Sequence, residues 1–156
     1  MTDFRITGLE ASRFAHLFGL DDEALARQQA RRCVADSQPG YPDRIELRDA
    51  APGETLLLVN HVHHDVANPF RASHAVYVLE GATRRFDAAG CVPESLRTRL
   101  LSLRAFDGDG MMCDADVVEG RELETAIERF FAEPKVAYLH AHYARRGCYA
   151  ARIDRG

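Results

Sequence analysis

Six of the seven histidines fall in two short stretches of the chain. "NHVHHDVANPFRASH" (60–74) carries His61, His63, His64 and His74, and "AYLHAHYARRG" (137–147) carries His140 and His142. Neutral imidazole is the commonest metal ligand in proteins, and zinc, iron and nickel all accept it. In a strand, side chains two apart point to one face. His140 and His142 therefore share a face. So do His61 and His63 where their strand runs that far, while His64 falls on the opposite face or in the loop. His74 opens the next strand, ten residues after His64, and a loop of that length brings the two strands side by side. The set with the simplest geometry is His63, His74, His140 and His142, with His61 a spare. Three imidazoles and an open position make a catalytic rather than a structural site. Nitrogen donors favour iron or zinc over magnesium, and the open position would activate water or oxygen. His16 lies in the first helix and reads as an ordinary surface or boundary residue.

Other residue types support such a site. Asp65, Asp114 and Asp116 are carboxylates in reach by sequence, and a carboxylate behind a ligating ring fixes its tautomer; Asp114 is assigned that role. An arginine fork holds carboxylate or phosphate bidentately. Arg71 stands three residues before His74, Arg104 lies in "LSLRAFD", and Arg145 and Arg146 flank the second histidine pair. Arg71 and Arg104 are the expected substrate-binding residues. Cys148, six residues after His142, suits a ligand or a nucleophile, although a scattered cysteine is ordinarily a buried, inert thiol. Without a metal, close rings depress each other's pKa and give a neutral base or a pH-sensitive pocket. The plain alternative is that the histidines only bond strand carbonyls or stack on Tyr138 and Tyr143.

"FDGDGMMCDAD" has the look of a calcium loop and fails as one. Met111 takes the fifth position, Met112 stands where glycine is required, and Val118 replaces the bidentate glutamate. A hairpin turn is the reading that remains. The motifs of dinucleotide and P-loop sites, serine hydrolases and zincins do not occur.

These residues need strands to position them. "DFRITGL" (3–9) reads as a strand, "LEASRFAHLFG" (9–19) and "LDDEALARQQ" (20–29) as a helical pair, and "RRCVAD" (31–36) and "IELRD" (45–49) as strands around a Pro/Gly loop. "TLLLVNHV" (55–62) is a central strand, 64–73 a loop, "HAVYVLEG" (74–81) a strand and 84–94 irregular. Residues 96–107 and 111–120 form a hairpin. "RELETAIERFFAE" (121–133) is a helix with Leu123, Ile127, Phe130 and Phe131 on one stripe. Residues 135–145 and 147–154 are two strands joined at Gly147. About eight strands in runs, with about three helices, predict an α+β fold. Its sheet is expected to be curled and mostly antiparallel, or an open barrel, in a single domain over 1–156.

The 156 residues suffice for one core, and 46% apolar with 28% charged residues is ordinary for a globular protein. No apolar run approaches membrane-spanning length, and the opening residues lack a secretory pattern, so the cytoplasm is expected. A net charge of −4 argues against nucleic acid as a partner. The four cysteines form no C-x-x-C pair. Of the twenty basic residues only Lys135 is lysine, a bias that a GC-rich genome produces as well as an anion site does.

The blocks "PGYPDRIEL", "APGETLLLVN", "PFRASHAVYV", "LLSLRAFDGDGMMCDADVVEG" and "VAYLHAHYARRGCYAARI" resemble a bacterial family known as domain of unknown function 1203, over nearly the whole chain. The resemblance implies a soluble, single-domain bacterial protein and carries over no activity. Three functions fit the residues. One is a small His-ligated, metal-dependent enzyme acting on an anionic small molecule. The second is a metal-free module binding such a molecule. The third is a structural or interaction domain, as a homodimer, without catalytic activity.

Overall fold

The computed structural model describes residues 3–156; Met1 and Thr2, the first residues of the domain read from the sequence, lie outside the described residues. The strands are β1 (Phe4–Thr7), β2 (Arg31–Val34), β3 (Thr55–His64), β4 (Ala72–Leu79), β5 (Asp87–Ala89), β6 (Leu100–Phe106), β7 (Met112–Glu119), β8 (Tyr138–Tyr143) and β9 (Tyr149–Arg155). The helices are α1 (Asp22–Arg27), α2 (Glu94–Arg97) and α3 (Leu123–Phe131). One sheet has six strands in the order β5-β1-β9-β8-β6-β7, and a second has three in the order β2-β3-β4. Every pairing within them is antiparallel, and neither sheet closes. The α+β expectation holds, with the strands divided between two sheets.

Helix α3 covers one face of the large sheet. Leu123, Ala126, Ile127, Phe130 and Phe131 recur at helical spacing and are all buried. They pack on Leu101, Leu103, Leu139, Ala141 and Ile153. Burying each large side chain contributes about 1.5–3 kcal/mol. Arg155 satisfies the helix's C-terminal end, donating to the carbonyls of Phe131 and Val136, each at about 3 Å.

The other face of the same strands is polar. Across β6, β8 and β9, Arg104, His140 and Arg152 are cross-strand partners, and so are Ser102, His142 and Tyr149. The small sheet meets this face with His63, whose ring stacks on Tyr149 at 4.9 Å. Its own core of Leu57, Val59, Val76 and Val78 packs with Phe14 and Leu17.

Several elements differ from the expectations. The first helical segment forms two 3-10 turns, Ala11–Arg13 and Ala15–Leu17. The second becomes α1, where the Asp21 side chain accepts from the Ala24 amide at 2.8 Å. "IELRD" forms no strand, because its backbone is committed elsewhere. The Ile45 carbonyl accepts from the Phe86 amide and that of Leu47 from the Ser95 hydroxyl, and just before the segment the Arg44 carbonyl accepts from Leu9. Leu47 there takes φ +53°. A Cβ at Gly8 would lie 2.1 Å from the Ile45 oxygen, so the absent side chain is what lets this segment approach β1. The stretch read as irregular holds β5, and residues expected to open the hairpin's first strand form α2.

Candidate metal centre

His63 reaches the site on the face of β3 that it shares with His61. The pairing runs His61↔His74 and Val62↔Ser73, then shifts so that His64 pairs Ala72. This bulge turns His64, expected on the opposite face or in the loop, to the side of His74, where its ring meets His140 at 5.2 Å. His63 meets His140 and His142 across the gap between the sheets. The two H-x-H segments are therefore not neighbours in one sheet; they face each other from two. One donor atom from each of His63, His140 and His142 lies within 4.8 Å of the other two, a spacing at which the three rings could hold a metal ion.

The nitrogens have the state a ligand needs. His142 Nδ1 is 3.0 Å from the Gly147 carbonyl, which only accepts, so the proton sits on Nδ1 and the Nε2 lone pair is free. That Nε2 is buried without a hydrogen-bond partner, as are both nitrogens of His63 and Nδ1 of His140 and of His74. Buried polar atoms are almost always paired, and a bound metal ion could satisfy some of these five unpaired nitrogens. Burial also holds the rings neutral. It pushes His63 down to about 3, helped by repulsion from His142 and His74. It pushes His142 down to about 3 against the raising effect of its Gly147 bond. Burial lowers His140 well below the ordinary value, and lowers His74. Neutral imidazole is the ligating form.

The remaining predicted residues divide. His74 stands beside the triad, 4.7 Å from the His63 ring and 5.3 Å from that of His142. His61 packs edge-on against Phe14 in the small sheet's core, and burial lowers it to about 4. Arg104 lies on the histidine face beside His140, half-buried, with its pKa lowered by desolvation. Its charge also depresses His74 and His142. Arg71 is exposed on the loop and paired with Asp65 at 3.3 Å. Asp114 is placed away from the rings: it pairs with Ala105, one residue out of phase with Arg104, and so belongs to the face that α3 covers. The tautomer role assigned to it falls instead to a backbone carbonyl, that of Gly147. Asp116 shares the α3 face and pairs with Arg129 at 2.7 Å.

Three neighbours were not legible as site residues. Tyr149 stacks on His63. Tyr138 donates its hydroxyl to His64 Nε2 at 2.6 Å, because the His64 Nδ1 proton is given to the Phe70 carbonyl at 2.9 Å. Arg44 is buried nearby and its charge reaches His74 and His142. The H-x-H spacing signals none of them, although Tyr149 could be placed by pairing the last two strands around Gly147.

No helix among the described residues is long and apolar enough to cross a membrane. Comparison with curated proteins and with solved structures gave no match. Comparison with protein families gave one, to the family described as protein of unknown function (DUF1203), over residues 40–155. That span includes all three rings of the triad and every strand that carries them, and the chain belongs to the DUF1203 family.

Proposed function

We propose that this protein is a small metal-dependent enzyme acting on an anionic small molecule. His63, His140 and His142 hold iron or zinc, and His74 stands as the fourth ring. The observation that carries the reading is the convergence of three neutral imidazoles, each with a buried nitrogen that has no hydrogen-bond partner. Three nitrogen ligands leave a coordination position for water or substrate, and the ion supplies Lewis acidity there. Arg104, on the same face, offers the fork for the substrate's anionic group, with Arg71 farther out on the loop. The reading takes the protein as bacterial and cytoplasmic, where reducing conditions suit four free thiols. It acts on a small molecule rather than nucleic acid, and a homodimer is its expected state.

The test is elemental analysis of protein purified without a His-tag or nickel resin, beside His63→Ala and His140→Ala. Near-stoichiometric iron or zinc, lost in both variants, is expected. No bound metal, even after reconstitution with each ion, would overturn the reading. The second reading, a metal-free binding module, draws on the half-buried Arg104 and the neutral rings. Its mark is ligand-dependent stabilisation that chelators leave unchanged.

A further inference from the structure

A cleft of about 920 Å³ opens on the far side of His74, between the small sheet and the β8–β9 turn. That volume suits a small ligand. Four arginines line it (Arg44, Arg99, Arg145 and Arg146) against a single lining acid, Glu119. A chain of net charge −4 thus gathers positive charge in one concavity. Arg99 is neutralised by Asp49 at 2.5 Å. Arg145 and Arg146 are exposed on the tight turn.

Arg44 is the informative one. It is only 2% exposed, yet its guanidinium donates to the carbonyls of Tyr149 and Pro42 and to Cys148 Sγ, none of them a carboxylate. Two of its five N–H groups remain. A buried charge without a counter-charge is costly unless something supplies one. Arg44 and Arg99 each lie 5.0 Å from the Tyr143 ring, so the two cations sit against one aromatic surface at the cleft. Tyr41 and Tyr77, 5.3 Å apart and tilted by 55° to each other, add two aromatic rings to the lining.

The geometry points to a binding site for a small organic oxyanion with an apolar body. A carboxylate or phosphate meets Arg44 and the Arg145–Arg146 turn, and the body lies along Tyr41 and Tyr77. This site goes beyond the proposed function, whose anion fork is Arg104 on the histidine face: it uses different arginines, and His74 is the lining residue that borders the metal centre.

Four probes test it by calorimetric titration at low ionic strength, where screening is weak: benzoate, phenyl phosphate, acetate and inorganic phosphate. At least one aromatic probe is expected to bind with Kd of about 1 mM or tighter. It should bind about tenfold better than the matching bare anion. The double variant Arg145→Glu/Arg146→Glu changes exposed side chains, and circular dichroism checks that its fold is kept. It should weaken that binding at least about tenfold. Binding should persist after chelation and in His140→Ala, which separates this site from the metal centre. No binding by either aromatic probe at about 20 mM would overturn the proposal. So would equal affinity in the double variant, equal affinity for the bare anions, or binding lost together with the metal.

Discussion

His63 and His74 lie ring on ring, with centroids 4.7 Å apart and planes within 4° of parallel, although the strand partner of His74 is His61. His63 follows His61 by two residues on the same face of β3, so it sits diagonally across from His74. His63 is thereby held between two flat faces, His74 on one side and Tyr149 on the other. A ring clamped in this way loses little freedom on taking up an ion.

The clamp separates His74 from the triad in its effect. His74→Ala should weaken metal binding by about 10–100-fold, the usual cost of losing a supporting residue. His140→Ala should abolish it. Competition against a chromophoric chelator measures both, and equal loss in the two variants would make His74 a full ligand.

Acid should destabilise the metal-free protein in a defined window. His63 and His142 sit at about 3 and His61 at about 4, against 6.5 for an unperturbed ring. Above pH 6.5 these rings are neutral folded and unfolded, and contribute no pH dependence. Below it the unfolded chain takes up protons that the folded chain does not, so stability falls with pH from about 6.5 toward 3. Glu54, lowered to about 2 mainly by Arg48, has the depressed-carboxylate behaviour and loses its contribution only below about 4.5. Between pH 7.5 and pH 5 the three rings oppose Asp43, whose pKa is raised by burial and which gains stability as pH falls; with three rings against one carboxyl, the urea midpoint at pH 5 should be lower. Equal midpoints would contradict the buried neutral rings.

Arg104 carries a charge half out of water beside a cluster of neutral rings. Arg104→Met keeps most of the apolar stem and removes that charge. The metal-free variant should be more stable by about 0.5–1 kcal/mol, or a Tm rise of roughly 1–4 °C. Thermal unfolding followed by circular dichroism reads this. A lower Tm would show that the guanidinium is structural.

Gly8→Ala should cost about 2 kcal/mol or more, since its Cβ would meet the Ile45 oxygen at 2.1 Å and that atom is backbone. The segment it would displace carries Arg44. A denaturant midpoint equal to that of the parent would show that the segment can move aside.

The strands, the antiparallel pairing and α3 were legible because their apolar periods are strong. The amphipathic stripe from Leu123 to Phe131 and the apolar run from Thr55 leave little choice. His63, His140 and His142 were legible by spacing. Their meeting was not, because it depends on which face of each sheet is turned to the other, and the arrival of His64 beside His140 depends on a bulge no local residue announces. Alternation counted along β7 does place Asp114 and Asp116 on one face, yet only the register with β6 shows that this face belongs to α3. The segment 45–49 alternates like a strand, but the Ile45 carbonyl is taken by the Phe86 amide and that of Leu47 by the Ser95 hydroxyl, both far away in sequence. Arg44 was hidden for the same reason: its burial and its partners at Cys148 and Tyr149 lie more than 100 residues along the chain.

The central claim is that the three rings bind one ion together, and X-ray absorption at the metal edge of the loaded protein tests it most directly. Three imidazole nitrogens at about 2.0–2.2 Å are expected in the first shell, and no metal edge in His140→Ala. A shell of oxygen alone, or an unchanged spectrum in His140→Ala, would contradict it.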